Sequence, residues 1–75
     1  MTNFTVKRFG IMITSARKKK KLTRYALAQL VKMSETQIKA LEDGKANPTL
    51  SSVFTIVNAL DIKVVFSFNQ KSLTI

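Results

Sequence analysis

The side chains of this chain that could do chemistry are almost all cationic. Thirteen Lys and Arg stand against four Asp and Glu in 75 residues, which gives a formal net charge of +9. The chain has no His and no Cys, so it lacks a general base that titrates near neutral pH, thiolate metal ligands and disulfides. This composition argues against an enzyme, a metal site or a bound cofactor. It favours binding to a polyanion.

The cations are densest in a run of five, from Arg17 to Lys21. The run ends a segment from about residue 6 to 20 in which Phe9, Ile13 and Ala16 recur at helical spacing, so we predict a first helix there. Cations are favourable at the negative, C-terminal end of a helix. The sequence leaves two interpretations of the run open, a solvated helix end or a contact with phosphate.

Three more helices are predicted downstream, each with a polar start signal. Thr23 is a good N-cap for the second helix and Thr49 for the fourth. Ser34 caps the third helix, and Gln37 completes a Ser-x-x-Gln capping box three residues later. Gly44 supplies the left-handed residue that ends the third helix. The second and fourth helices are predicted at about residues 24–31 and 50–60.

The second and third helices are predicted to pack closely against each other. Ala28 is small enough to let two helices cross at short distance. The facing apolar residues are Leu27, Ala28, Val31, Ile38 and Leu41, with Met33 in the turn between the helices. A tight two-helix unit on a basic protein is typical of a helix-turn-helix that enters the major groove of DNA.

The pattern of residues 9 to 60 resembles the Cro/cI (XRE) class of helix-turn-helix repressors. The resemblance has no insertion or deletion and rests on Leu22-Thr23, Leu27-Ala28, Ser34, Ile38, Glu42, Gly44-Lys45, Asn47-Pro48 and Leu50. It implies a mainly α fold, with a four-helix, lambda-repressor-like helix-turn-helix domain at 6–60.

By this resemblance, the third helix is the recognition helix and the start of the second helix is a clamp on the DNA backbone. The residues placed near bases or phosphates are Thr23, Arg24, Ser34, Glu35, Thr36, Gln37, Lys39 and Ala40. Three lysines are predicted to reach phosphates, namely Lys21, Lys32 and Lys45. Arg17 and Glu42 correspond to a salt bridge that ties the first helix to the third.

The recognition-helix side chains suit base contacts unevenly. Thr36 can contact a thymine methyl group or a base edge, and Gln37 can read adenine if it leaves its capping role. Glu35 can accept a hydrogen bond from cytosine, but it can equally serve as a partner of the helix dipole.

Three positions depart from the pattern of the class. Lys21 and Lys32 stand where glycine is usual, and a lysine in the left-handed conformation costs about 1 kcal/mol. Either that cost is tolerated because the lysines reach phosphates, or the turns differ. Arg24 replaces the usual glutamine and so offers a charged phosphate contact.

The segment from Ile62 to Phe68 alternates apolar and polar residues and is rich in β-branched and aromatic types, so a strand is predicted. We assign residues 61–69 to a dimerisation strand and 70–75 to a flexible tail. The predicted dimerisation residues are Ile62, Val64, Val65, Phe66 and Phe68. A strand needs a partner for its backbone. The preferred partner is the same segment of a second copy, and the alternative is the segment Phe4 to Val6.

A helical domain followed by such a strand resembles the HipB-type antitoxins. The expected function is a homodimeric, sequence-specific transcriptional repressor of double-stranded DNA with a two-fold operator, acting as the antitoxin to a toxin partner. One alternative is a stand-alone regulator of phage or mobile-element type. An alternative of another class is a basic protein that binds RNA or a membrane surface without specificity. No apolar run approaches the roughly 18 residues of a membrane span, so we expect a cytoplasmic protein without membrane insertion.

Overall fold

The computed structural model describes residues 5–68 and 71–74, and it describes side chains as far as residue 65. This part of the chain forms helices followed by a short pair of strands. The elements are α1 Val6–Lys19, α2 Arg24–Val31, α3 Glu35–Glu42, α4 Leu50–Ala59, β1 Val65–Phe68 and β2 Lys71–Thr74. No helix among the described residues is long and apolar enough to cross a membrane.

Each helix begins at a hydroxyl side chain that accepts a hydrogen bond from a backbone N–H three residues on. These N-caps are Thr5, Thr23, Ser34 and Thr49, with donor–acceptor distances of 3.0 to 3.1 Å. At α3 the capping box is complete, because the side chain of Gln37 also accepts from the backbone N–H of Ser34. The predicted helix starts therefore have a local cause, the satisfaction of exposed backbone donors.

The buried core lies where α1, α2, α3 and α4 meet. Its largest fully buried side chains are Phe9, Ile13, Leu27, Ile38 and Ile56. Ala28 and Leu41 are buried in the same cluster, and Met33 packs against it from the turn. The two-helix unit of α2 and α3 is thus held by the predicted contacts between facing apolar side chains of these two helices. It is held as well by packing against α1 and α4.

The crossing of α1 and α3 depends on Gly10. This residue is buried, and a Cβ atom built on it would lie 2.6 Å from the carbonyl oxygen of Glu42 and closer still to that of Leu41. Only glycine allows the two backbones to approach so closely.

Four of the residues that the structure describes adopt the left-handed conformation at helix ends. Gly44 has φ +71°, and a Cβ atom there would also lie 3.0 Å from Cα of Lys7. The others are not glycine: φ is +58° at Lys21, +57° at Lys32 and +56° at Asp61. The two lysines therefore take the strained conformation, at positions where the resemblance to the Cro/cI class leads us to expect glycine.

The C-terminal segment differs from the sequence prediction in its extent. β1 starts at Val65, and Ile62 and Val64 pack against the core ahead of it. β1 pairs antiparallel with β2, in a register that sets Val65 opposite Thr74. β2 lies within the segment 70–75, and the flexibility predicted for that segment stays a prediction.

The described part of the N-terminal segment does not pair with the C-terminal strand, as the alternative with Phe4 to Val6 required. Thr5 is the N-cap of α1 and Val6 is its first residue, so these two residues are committed to starting a helix. Phe4 lies outside the described residues.

An apolar groove of about 760 Å³ lies between α1, α4 and the segment that leads into β1. Its lining includes Val6, Phe9, Met12, Val53, Phe54 and Val57. Leu50 and Val65 also line it and are 68% and 55% exposed. A concave apolar surface of this kind marks an interaction site more often than a plain surface does.

Candidate nucleic-acid interface

The helix predicted to be the recognition helix, α3, has one buried face and one open face. Ile38 and Leu41 are buried in the core, and this fixes the orientation of the helix on the domain. The residues predicted to contact DNA lie on the remaining surface: Ser34, Glu35, Thr36, Gln37 and Lys39 are exposed, and Ala40 is half-buried. The structure thus gathers these six positions on the outward side of a single helix.

The capping box limits what Gln37 can read. Its Oε1 atom accepts a hydrogen bond from the backbone N–H of Ser34 at 2.8 Å. A bidentate contact to adenine needs both the carbonyl and the amino group of a glutamine. In the observed conformation the Gln37 amino group has no acceptor among the described residues and can donate to a base, whereas Oε1 has one of its two lone pairs left for a base donor.

A buried ion pair ties α1 to α3. The Arg17 side chain donates from Nε to Oε2 of Glu42 at 2.6 Å and from Nη2 to Oε1 at 3.2 Å. Its Nη1 donates to the carbonyl oxygen of Leu22 at 2.8 Å. The Arg17 side chain is 10% exposed and that of Glu42 is 1% exposed. The structure brings together the two residues that the resemblance pairs, in the bidentate geometry that makes such pairs strong.

Arg24, the first residue of α2, reaches the same carboxylate. Its Nε donates to Oε1 of Glu42 at 2.9 Å, and its side chain is 35% exposed. The sequence predicted a phosphate contact for Arg24 and no protein partner. A single buried carboxylate is therefore shared by the end of α1, the start of α2 and the end of α3.

The electrostatics of the cluster follow from this sharing. Burial by itself would raise the pKa of the Glu42 carboxyl, but hydrogen bonds from Arg17 and Arg24 outweigh it and hold the pKa below its ordinary value. The hydrogen bond to Glu42 raises the pKa of the Arg24 guanidinium. At the end of α3, the hydrogen bond from Lys39 lowers the pKa of Asp43. The Glu42 and Asp43 carboxylates and the Arg24 guanidinium are therefore held in their charged forms near neutral pH.

The lysines around this surface fall into two groups. Lys39 donates to Asp43 at 2.8 Å, and Lys20 donates to Asp61 at 2.5 Å. The other group contains the lysines predicted to reach phosphates. Lys21, Lys32 and Lys45 are exposed and form no ion pair with another described residue. These three are therefore available to an external anion.

The helix order, the close α2–α3 packing and the outward face of α3 match a known family. The family model HTH_3, a helix-turn-helix, matches residues 13–66. The chain belongs to the HTH_3 helix-turn-helix family. This membership confirms the resemblance to XRE-type proteins, and it makes the chain a DNA-binding protein of the transcription-regulator type. Among curated protein sequences, none matches the chain.

Several solved structures share the fold of this HTH_3 protein. The restriction-modification controller protein C.AhdI from Aeromonas hydrophila is 28% identical with a TM-score of 0.72, and the match covers 76% of this chain and 86% of that one. The controller C.Esp1396I, as a tetramer with its natural 35 base-pair operator, is 24% identical with a TM-score of 0.72, covering 81% and 80%.

A chain of the HipA-HipB-O2-O3 complex is 17% identical with a TM-score of 0.75, and the match covers 92% of this chain and 97% of that one. At these identities, the C.Esp1396I and HipA-HipB matches show the fold alone.

Proposed function

We propose that this HTH_3 protein is a sequence-specific transcriptional repressor that binds a two-fold operator as a homodimer. The observation that carries the proposal is the construction of α3. Its exposed face is polar, its other face is buried, and Glu42 at its end is fixed by two arginines. A recognition helix must be held rigidly to discriminate between bases, because each contact depends on donor and acceptor geometry.

The interface residues divide into two roles in this proposal. Thr36, Gln37 and Glu35 point from the first turns of α3 toward base edges, with Ser34 and Ala40 beside them. The phosphate contacts come from Lys21, Lys32 and Lys45, from Arg24, and from the start of α2 at Thr23. Contacts to phosphate fix the register of the protein on the duplex, whereas contacts to bases select the sequence.

Dimerisation is proposed through the C-terminal segment, with Ile62, Val64, Val65, Phe66 and Phe68 as the dimerisation residues. Two features support it. In the described part of the chain β1 pairs with β2 on one edge, which leaves its other edge for a second copy. The apolar groove next to Val65 also offers a surface that a partner's segment can cover. Two-fold pairing would present two recognition helices about 34 Å apart, one turn of DNA.

The biological role within this class is proposed to be that of an antitoxin with a toxin partner. The support is the likeness to a chain of the HipA-HipB-O2-O3 complex, which extends over more of this chain than the likeness to C.AhdI does. The second candidate is a stand-alone regulator, and the higher sequence identity of the controller C.AhdI favours it. Expression of the adjacent genes with and without this protein separates the two, because only an antitoxin rescues growth from a neighbouring toxin.

Selection of bound sequences from a random duplex library tests the proposed function. We expect the enriched sequences to converge on two half-sites related by two-fold symmetry, with centres about one helical turn apart. Parallel titrations with single-stranded RNA and with vesicles of anionic lipid test binding by charge alone. If the selection yields no enriched sequence, or RNA and vesicles bind as tightly as the enriched duplex, then the proposal is wrong.

A further inference from the structure

The cluster around Glu42 contains two arginines that use their donors differently. Arg17 commits all three of its nitrogens to the protein, two to Glu42 and one to the carbonyl oxygen of Leu22. Arg24 commits only Nε. A guanidinium group has five N–H donors, so the four on the terminal nitrogens of Arg24 have no acceptor among the described residues.

The cluster around Glu42 also has one positive charge more than it has negative charges. The Glu42 carboxylate is already matched by the bidentate pair with Arg17. Arg24 therefore adds a cation that the cluster does not need for neutrality, on a side chain that is 35% exposed where that of Glu42 is 1% exposed. Asp43 and Glu35 also lie near Arg24; Asp43 is engaged by Lys39, and Glu35 forms no ion pair or hydrogen bond with Arg24 in the described part of the chain. The matching external group is an anion with oxygen acceptors, such as a phosphodiester.

We propose that Glu42 is a positioning residue for DNA binding, which holds Arg24 by Nε so that its terminal nitrogens are presented to a backbone phosphate. This inference rests on the proposed function and adds a coupling to it. Glu42 is the last residue of α3 and Arg24 the first of α2. The phosphate clamp and the recognition helix are thereby held in one orientation by a shared carboxylate.

The hydrogen bond that holds Arg24 by Nε predicts that a lysine at that position replaces it only in part. A guanidinium can donate to Glu42 and to a phosphate at the same time, because its donors point in fixed, separate directions. An ammonium group is a point charge on a flexible chain, so it keeps the attraction to phosphate but loses the orientation.

The test measures binding to a labelled duplex of arbitrary sequence between about 50 and 200 mM salt, because phosphate contacts do not depend on sequence. Arg24→Gln should weaken binding at least about 10-fold and flatten the salt slope by about 0.9. Arg24→Lys should keep the slope and weaken binding by about 3- to 10-fold. The matched control is Lys20→Gln, which removes a cation already paired with Asp61. It should bind within about 2-fold of the wild type.

Glu42→Gln, measured with and without Arg24→Gln, separates positioning from fold stability. If Glu42 acts through Arg24, its substitution weakens binding several-fold in the protein with Arg24 and has little effect when Arg24 is already glutamine. Equal losses in both backgrounds, with circular dichroism showing folded protein, would overturn the inference.

If Glu42→Gln fails to fold, Arg24→Lys alone tests whether Glu42 positions Arg24, because the lysine variant leaves the Arg17–Glu42 pair intact. Binding equal to that of the wild type would then overturn the inference while leaving the proposed function standing. A wild-type protein that binds no duplex at any of these salt concentrations would overturn both.

Discussion

Replacement of Glu42 by alanine is the perturbation that should most damage the fold. The substitution removes the acceptor of three charge-assisted hydrogen bonds and leaves Arg17, whose side chain is 10% exposed, as a buried cation without its partner. Breaking a buried pair in this way costs about 3 to 5 kcal/mol. A domain of this size is stable by about 4 to 11 kcal/mol. The variant should therefore keep at most about three quarters of the wild-type stability, and it should fail to fold if the wild-type stability lies at the low end of this range.

Urea denaturation followed by circular dichroism measures this loss of stability, at a fixed protein concentration because the proposed dimerisation would add to stability. In thermal unfolding of a domain of this size, each kcal/mol of lost stability lowers the melting temperature by about 4 to 8 °C. A loss of about 3 to 5 kcal/mol should therefore lower it by roughly 12 to 40 °C. The matched control is Asp43→Ala, at the next residue, where the carboxylate is exposed and pairs with Lys39 within α3. If Glu42→Ala unfolds at the same urea concentration as Asp43→Ala, the reasoning about the buried pair is wrong.

Four further outcomes are expected. Gly10→Ala should destabilise the fold by about 2 to 4 kcal/mol in the same urea assay, because its Cβ atom would collide with the backbone of α3; a change below about 0.5 kcal/mol would mean that α1 and α3 separate freely. Lys32→Gly should raise the melting temperature, because glycine adopts the left-handed conformation without strain; after the cost in chain entropy, the net gain in stability is about 0.5 kcal/mol. The same substitution removes a cation and should weaken duplex binding. An unchanged affinity would exclude a phosphate contact by Lys32. The folded-state pKa of Glu42 lies below its ordinary value of 4.5. The contribution of the ionised carboxylate to the free energy of unfolding is therefore complete above pH 4.5 and is lost as pH falls through the folded-state pKa. Glu42→Gln should flatten the dependence of stability on pH in the acid range, and an unaltered dependence would contradict this. Val65→Pro should lower both dimer and operator affinity in sedimentation and binding assays, because proline is poorly tolerated in a paired strand; unchanged dimerisation would place the interface elsewhere.

The features that the sequence predicted are those with local causes. The capping box needs only a serine and a glutamine three residues apart, and the structure has both of its hydrogen bonds. The apolar face of α2 and α3 follows from helical periodicity, and Leu27, Ile38 and Leu41 are buried accordingly. Arg17 and Glu42 lie 25 positions apart, and only the resemblance to a family with a fixed helix crossing made their pairing predictable.

The missed features depend on how helices cross and on the length of the C-terminal pairing. Gly10 stands between apolar residues on the buried side of α1, and a glycine on such a stripe was an available signal of close packing. The bond from Arg24 to Glu42 had no signal in the sequence, since it requires the start of α2 to face the end of α3. β2 was missed because Lys71–Thr74 contains only one large apolar residue, Leu73, so its pattern is too weak to indicate a strand.

The central claim is that the outward face of α3 selects a DNA sequence and that charge alone does not account for binding. Titration of the wild-type protein against an enriched two-fold duplex and against a scrambled duplex of the same composition, at about 150 mM salt, tests it most directly. We predict that the two-fold duplex binds at least about 1,000-fold more tightly, with two protomers per duplex. Equal affinity for the two duplexes would contradict the claim and reduce the protein to a non-specific polycation.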